Sequence, residues 1–430
     1  MNAEAAWQRE LEAPTEAFFD ALAARVLSGG VQAAAREAIV HLVPRIHWAG
    51  YLPSMPHSLL GLWAAFRMEP WLTPARFHRL LAMQLHALAF ERRGGGLAEV
   101  GRGSGHWGNL RLAFDCCESS LAWGEALGCT SPQARDFEQL AEWMSADMAY
   151  LGHKPVMARR MKELHGQLGG SSDVGRTLLA ICAWLGASQP MDSYWQKRIQ
   201  KRLGDSALLA LEQGRLLDEP AVDTLVACVC DSGLVALLDA LTGRVRNGVG
   251  QGDLELVLVR AACRKMLDAR REMEGKTAWT LLHIAALPGA SHGSRPEPWI
   301  QATALVNLFP SEDSPCLGPR MPRQPTSLRD AILDGEGAEA MFETERLFER
   351  SGAESVLRVL ADAAAEGDPA TNQAHNTLVV ASAAEMLFRL SGRDQVVLWQ
   401  VLAKSLAQTQ VACEMGGRVE AALASSLGDF

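Results

Sequence analysis

Apolar residues recur at helical spacing along almost the whole of this chain, and the alternating Val, Ile and Thr runs that mark strands are nearly absent. Such a chain can bury its apolar stripes only by packing helix on helix, so the expected fold is all-α, a large multi-helix, bundle-like domain. With 430 residues and an apolar share of 48%, a sizeable core is available. The spacing predicts helices at 4–27, 31–43, 56–68, 74–92, 106–127, 132–150, 153–167, 173–186, 192–202, 205–216, 219–241, 252–270, 276–287, 298–308, 326–349, 353–366, 369–391 and 394–426. Thr73-Pro74, Ser131-Pro132 and Asp368-Pro369 each offer a capping side chain followed by proline at the first helical position. Gly29-Gly30 is a natural stop for an early helix. We read residues 1–430 as a single helical domain. The irregular stretch 288–325, with prolines at 288, 296, 298, 310, 315, 319, 322 and 325, is the one candidate sub-boundary.

Charge and cysteine usage narrow the function classes. A net charge of −9 argues against a nucleic-acid partner, which needs clustered Lys and Arg. The basic groups Arg159, Arg160 and Lys162, and Lys197, Arg198, Lys201 and Arg202, read as solvated helix faces. The nine cysteines form no Cys-x-x-Cys. Cys182 and Cys263 sit in apolar runs as buried free thiols, which points to a reducing, cytoplasmic setting. The first ten residues lack the apolar core of a signal peptide, and Asp231 interrupts the longest apolar stretch, Leu225 to Leu238, so no membrane partner is expected.

Two motif matches fail on context. Gly103-Ser104-Gly105-His106-Trp107-Gly108 matches the dinucleotide-binding pattern by letter, but no strand precedes it. Gly275-Lys276-Thr277 resembles the end of a phosphate-binding loop, yet Arg270 stands where its first glycine belongs. No Gly-x-Ser-x-Gly elbow appears.

The histidines carry the chemistry. His57 and His106 each stand at or near the start of an apolar helical run, and His283 and His375 lie in similar surroundings far downstream. Buried imidazole must have its ring nitrogens satisfied, so each alone reads as a hydrogen-bonded core residue; four converging would make a metal site. Gly61 and Ala64, on the His57 face, leave room beside its ring for a ligand. His78 and His86 share one helix at a separation of about 12 Å, too far for one ion. His41 and His47 flank Pro44. His153, His165 and His292 sit near turn signals and read as exposed. Trp48, Trp63, Trp107 and Trp279 lie near the candidate ligands in sequence, either lining a flat apolar pocket or packing the core.

Taken together, Pro56-His57-Ser58-Leu59-Leu60-Gly61-Leu62, the glycine-led segment 103–111 around His106, Thr280-Leu281-Leu282-His283-Ile284-Ala285-Ala286-Leu287 and Gln373-Ala374-His375 resemble the questin oxidase-like family. The resemblance implies an all-helical oxidoreductase that inserts oxygen into, or opens a ring of, aromatic polyketide-type metabolites such as anthraquinones. It also implies dioxygen as co-substrate and a non-haem Fe(II) held by histidines, with His57, His106, His283 and His375 at the ligand positions. A carbamylated lysine is a further ligand implied by that resemblance. Here Leu378, Val379 and Val380 stand where that lysine belongs, and the next lysine is Lys404. A metal-free oxygenase assisted by NADPH is a variant that no nucleotide motif supports. The alternative of a different class is a non-catalytic helical scaffold with a groove for a small molecule or a partner helix, in which the rings would stand more than about 10 Å apart.

Overall fold

A computed structural model of the chain describes residues 2–46, 57–91, 96–145, 153–188, 193–204, 210–268, 295–308, 319–322, 326–367, 374–386, 389–409, 418–419 and 421–422. Within them lie nineteen α-helices and no strand, as the periodicity requires. They are α1 Ala3–Glu12, α2 Phe18–Gly29, α3 Val31–Leu42, α4 His57–Met68, α5 Pro74–Ala89, α6 Trp107–Asp115, α7 Ser119–Gly128, α8 Ala134–Ser145, α9 His153–Gln167 and α10 Ser172–Gly186. There follow α11 Ser193–Leu203, α12 Glu219–Asp231, α13 Leu234–Asn247, α14 Gln251–Asp268, α15 Pro296–Leu308, α16 Leu328–Leu333, α17 Gly337–Glu366, α18 His375–Ala384 and α19 Gly392–Thr409. No helix among the described residues is long and apolar enough to cross a membrane.

Helix α4 is the axle of the structure. Every residue from His57 to Met68 except Arg67 is buried, so this helix is apolar all round, as a fully enclosed helix must be. It packs on α5, α9 and α18. Helices α7 to α10 layer against one another beside it, and α12 to α15 form a second group. The C-terminal helices tie the chain together: α17 rests on α5, α18 on α4, and α19 on α14. One continuous apolar cluster runs through all of these, from Trp7 to Val419.

Where long predicted helices break, the cause is local. Residues 4–27 divide around Pro14; 106–127 divides at Cys117, in the left-handed region at φ 57°; 219–241 divides at Gly233. The segment 210–218 is irregular rather than helical, because Asp253 gathers the backbone N–H groups of Leu216, Leu217 and Gly250 onto one buried carboxylate. Within α17, Gly352 at φ 79° kinks the helix. The 288–325 stretch contains α15, and its residues 288–294, 309–318 and 323–325 lie outside the described set. Predicted helix 276–287 and the Asp368-Pro369 cap also lie outside it.

Buried cations close many helix ends. Lys154 Nζ donates to Ser188 O at 2.8 Å past α10, Lys265 to Asn307 O at 3.1 Å in α15, and Lys404 to Leu267 O at 2.8 Å in α14. Arg79 does the same to Ala365 O at 2.7 Å. The carbonyls of a final turn have no partner within the helix, and a cation there also meets the negative end of the dipole.

The glycines of the 101–105 loop are structural. Gly124 and Gly128, one turn apart on α7, clear a lane for that loop. A Cβ on Gly128 would stand 2.4 Å from Gly103 O, and Gly105 holds φ 72°. Gly128→Ala should therefore cost about 1–3 kcal/mol through overpacking. Gly243→Ala, in open space inside α13, should stabilise by about 0.5–1 kcal/mol. Urea unfolding of the two variants checks both signs.

Candidate metal centre

Three helices begin with histidine, and their first turns meet. His57 opens α4, His153 opens α9 and His375 opens α18, each offering a ring nitrogen within 4.8 Å of the other two. His57 and His153 are buried, each 8% exposed, and His375 is half-buried. His57 Nε2 lies 3.3 Å from His153 Nε2, and the His57 and His375 ring centroids are 4.7 Å apart. At 3.3 Å the two Nε2 atoms cannot both carry a hydrogen on the line between them, so at least one presents a lone pair. Two nitrogens each about 2.1 Å from one tetrahedral ion lie about 3.4 Å apart, so the His57–His153 spacing already suits a shared cation.

The register that brings these rings together is set two turns further in. Arg160 on α9 is 3% exposed, and its guanidinium lies 4.1 Å over the Trp63 ring of α4. It pairs with Glu163 at 3.2 Å and with Glu385, just past α18, and donates to Ser382 Oγ at 3.4 Å. Trp63 Nε1 donates to Glu163 Oε2 at 2.8 Å. Trp63, Arg160 and Ser382 stand six or seven residues after their respective histidines. At 1.5 Å per residue, both layers sit at the same height, about 9–10.5 Å apart. The three helices therefore run in the same direction, with their N-termini together.

Of the four histidines singled out from the sequence, His57 and His375 are in this cluster. His106 is not: it is exposed at the N-cap of α6, where its Nδ1 accepts from Gly108 N–H at 3.2 Å. Its glycine-led segment serves the α7 contact, with Glu125 accepting from Ser104 Oγ at 2.8 Å and from Gly105 N–H at 3.1 Å. His283 lies outside the described residues, as do His47, His292, Trp48 and Trp279. His153 and His165, expected to be exposed, are both buried. Pro155 in the first turn of α9 signals the same helix-opening position that singled out His57, and that signal could have found His153. Arg160, expected on a solvated face, is instead the buried hub. Lys404, the first lysine after His375, donates to Met266 O and Leu267 O at the end of α14. The room expected beside Gly61 is filled by Gln84 and Ala374.

The set contains no carboxylate among the described residues, only imidazoles. Neutral imidazole suits Fe(II), Zn(II), Cu(II) or Ni(II) and leaves the ion's charge uncancelled. Two of the buried thiols are poor nucleophiles: burial pushes Cys263 up to about 12 and Cys182 well above the ordinary thiol range. No known family profile, curated protein or solved structure matches the chain.

Burial pushes the Glu163 carboxyl up, but Arg160 and Arg159 outweigh it and hold the group below the usual carboxylate range. A depressed carboxyl contributes stability that is full above its unfolded pKa of about 4.3 and lost as pH falls through the folded value. Arg160→Met should cost about 1–3 kcal/mol at pH 7, because Glu163 and Glu385 lose their buried partner and keep only Arg159 as a cation. It should also flatten the loss of stability below about pH 4.3, the unfolded carboxylate value. Urea unfolding of both proteins at pH 7 and at acid pH measures the two effects.

Proposed function

We propose that this chain is a non-haem iron oxidoreductase, an oxygenase acting on a small aromatic or polyketide-type metabolite, with His57, His153 and His375 holding Fe(II). The observation that carries the reading is the convergence of three imidazoles from helices remote in sequence, within 4.8 Å of one another at an interior helix junction. A scaffold without chemistry gives no reason for such a gathering, since rings more than about 10 Å apart would serve it equally. The resemblance to questin oxidase-like proteins supplies the oxygenase and substrate class, and with them dioxygen as co-substrate. Bound iron would activate dioxygen; three protein ligands leave coordination positions open for it and for substrate.

The residues around the cluster do the remaining work. Leu59, Leu60 and Ala64 of α4 are buried beside the His57 turn and keep that turn dry. The Arg160 hub holds the three ligand helices in register. A cytoplasmic setting, in which thiols such as Cys182 remain reduced, also favours the ferrous ion.

Anaerobic reconstitution with Fe(II), followed by elemental mass spectrometry, should yield about one iron per chain, as a single shared site requires. His153→Ala and His375→Ala should each weaken metal affinity by at least about 100-fold through loss of a ligand bond. His106→Ala should bind like the parent. Parallel loading with Zn(II) and Co(II) tests the identity of the metal. A protein that stays metal-free, or one whose binding needs His106 but not His153, would rule out this reading.

A further inference from the structure

Gln84 on α5 is fully buried, and neither its amide oxygen nor its amide nitrogen has a hydrogen-bond partner among the described residues. Leaving both ends of an amide unsatisfied is costly, and native interiors rarely retain such a group without a use. Its position is specific. A Cβ built on Gly61 would stand 2.0 Å from Gln84 Oε1 and 2.7 Å from the Ala374 Cβ. Gly61 lies one turn after His57 on the same face of α4, and Ala374 leads directly into His375. The amide is thus wedged between the chain segments that carry two of the three ring ligands. Ala374 itself holds φ 60°, ψ 10°, the left-handed region that residues with a Cβ seldom occupy. Strain of that kind persists where the surroundings enforce it, often at ligand sites. The N-termini of α4, α9 and α18 converge on the same place, and the positive ends of their dipoles favour a partly or fully negative oxygen.

We propose that Gln84 is a ligand-recognition residue of this centre, and that its ligand presents a hydroxyl beside a carbonyl or carboxylate oxygen. The ligand oxygen accepts from Gln84 Nε2 while the ligand hydroxyl donates to Gln84 Oε1, so one planar amide reads both groups at once. This inference rests on the histidine cluster being a ligand site, but not on which metal occupies it. Gly61 then has a second purpose, because any side chain there would push the amide out of the interface.

Salicylate is the probe, and benzoate, which lacks the hydroxyl, is the control. Both are titrated calorimetrically into the full chain, metal-free and loaded with Zn(II). The parent should prefer salicylate by about 10-fold or more, the worth of one satisfied hydrogen bond to a buried polar group. In Gln84→Leu the preference should fall to within about twofold, with metal content unchanged. The variant's Tm should equal or exceed the parent's by about 1–3 °C, since an unsatisfied amide has been removed. Gln84→Met provides the same comparison with a more adaptable side chain. A preference that survives in both variants, or a parent with no preference in either metal state, would overturn the proposal. So would a drop of several degrees in the Tm of both variants, which would mark Gln84 as the holder of a structural water. A parent that takes up no Fe(II) on reconstitution yet discriminates through Gln84 would sink the iron reading and leave this one standing; a parent that takes up Fe(II) at the histidines but shows no preference in either metal state would do the reverse.

Discussion

One buried guanidinium holds the three ligand helices in their mutual register. Arg160 is almost fully enclosed, and an uncompensated charge there would cost several kcal/mol. Its compensation comes from Glu163 on its own helix, from Glu385 and Ser382 at the end of α18, and from the Trp63 face on α4. No single sliding or reversal of α4, α9 or α18 keeps all of these partners. The ion network therefore acts less as a source of net stability than as a register pin. The register it selects is the one that stacks His57, His153 and His375 at the other end.

Running three helices in one direction has an electrostatic consequence. The positive ends of the three dipoles add at the shared end. Elsewhere in the fold the complementary problem, bare carbonyls at helix C-termini, is answered by Lys154, Lys265, Lys404 and Arg79. At the histidine end no acidic side chain joins the cluster among the described residues. A cation held by the three rings would consequently call for anionic oxygen alongside it, from substrate or hydroxide. Metal and anion favour each other here, and the unpartnered Gln84 amide lies where such an oxygen-bearing ligand would extend.

Much of the fold was readable in the residues. Thr73 caps α5 by accepting from Arg76 N–H, and Gly30 ends α2 at φ 81°, as their neighbours in sequence imply. What was not readable depends on contacts distant in sequence. Cys117 entering the left-handed region, or Asp253 drawing 210–218 out of helix, leaves no periodic trace. Two of the three rings of the described site were visible for the same reason that the third was misjudged. A histidine at a helix start can cap its own helix, as His106 does, or turn inward, as His57 and His153 do. The local pattern is alike, and the choice is made by the helices packed around it. The glycines before His106 match a dinucleotide-binding pattern by letter only, and their purpose is the close approach to Gly124 and Gly128.

The centre is also a product of the last folding contacts. His57 and His153 are 96 residues apart, and Arg160 reaches Glu385 across 225. Neither pairing has local neighbours to nucleate it, so both form only when the N-terminal layers and the C-terminal helices have docked. No preformed site exists in the unfolded chain, so ligand affinity appears directly as folding free energy. A ligand at 100 times its Kd would add about 2.7 kcal/mol to the native state. That gain would be concentrated where α4, α9 and α18 meet, next to the strained Ala374 and the Gln84 amide that α5 places between Gly61 and Ala374. Both defects lower stability at that junction in the ligand-free form, and the proposed ligand would restore it on binding, as expected of a site shaped for occupancy rather than for packing.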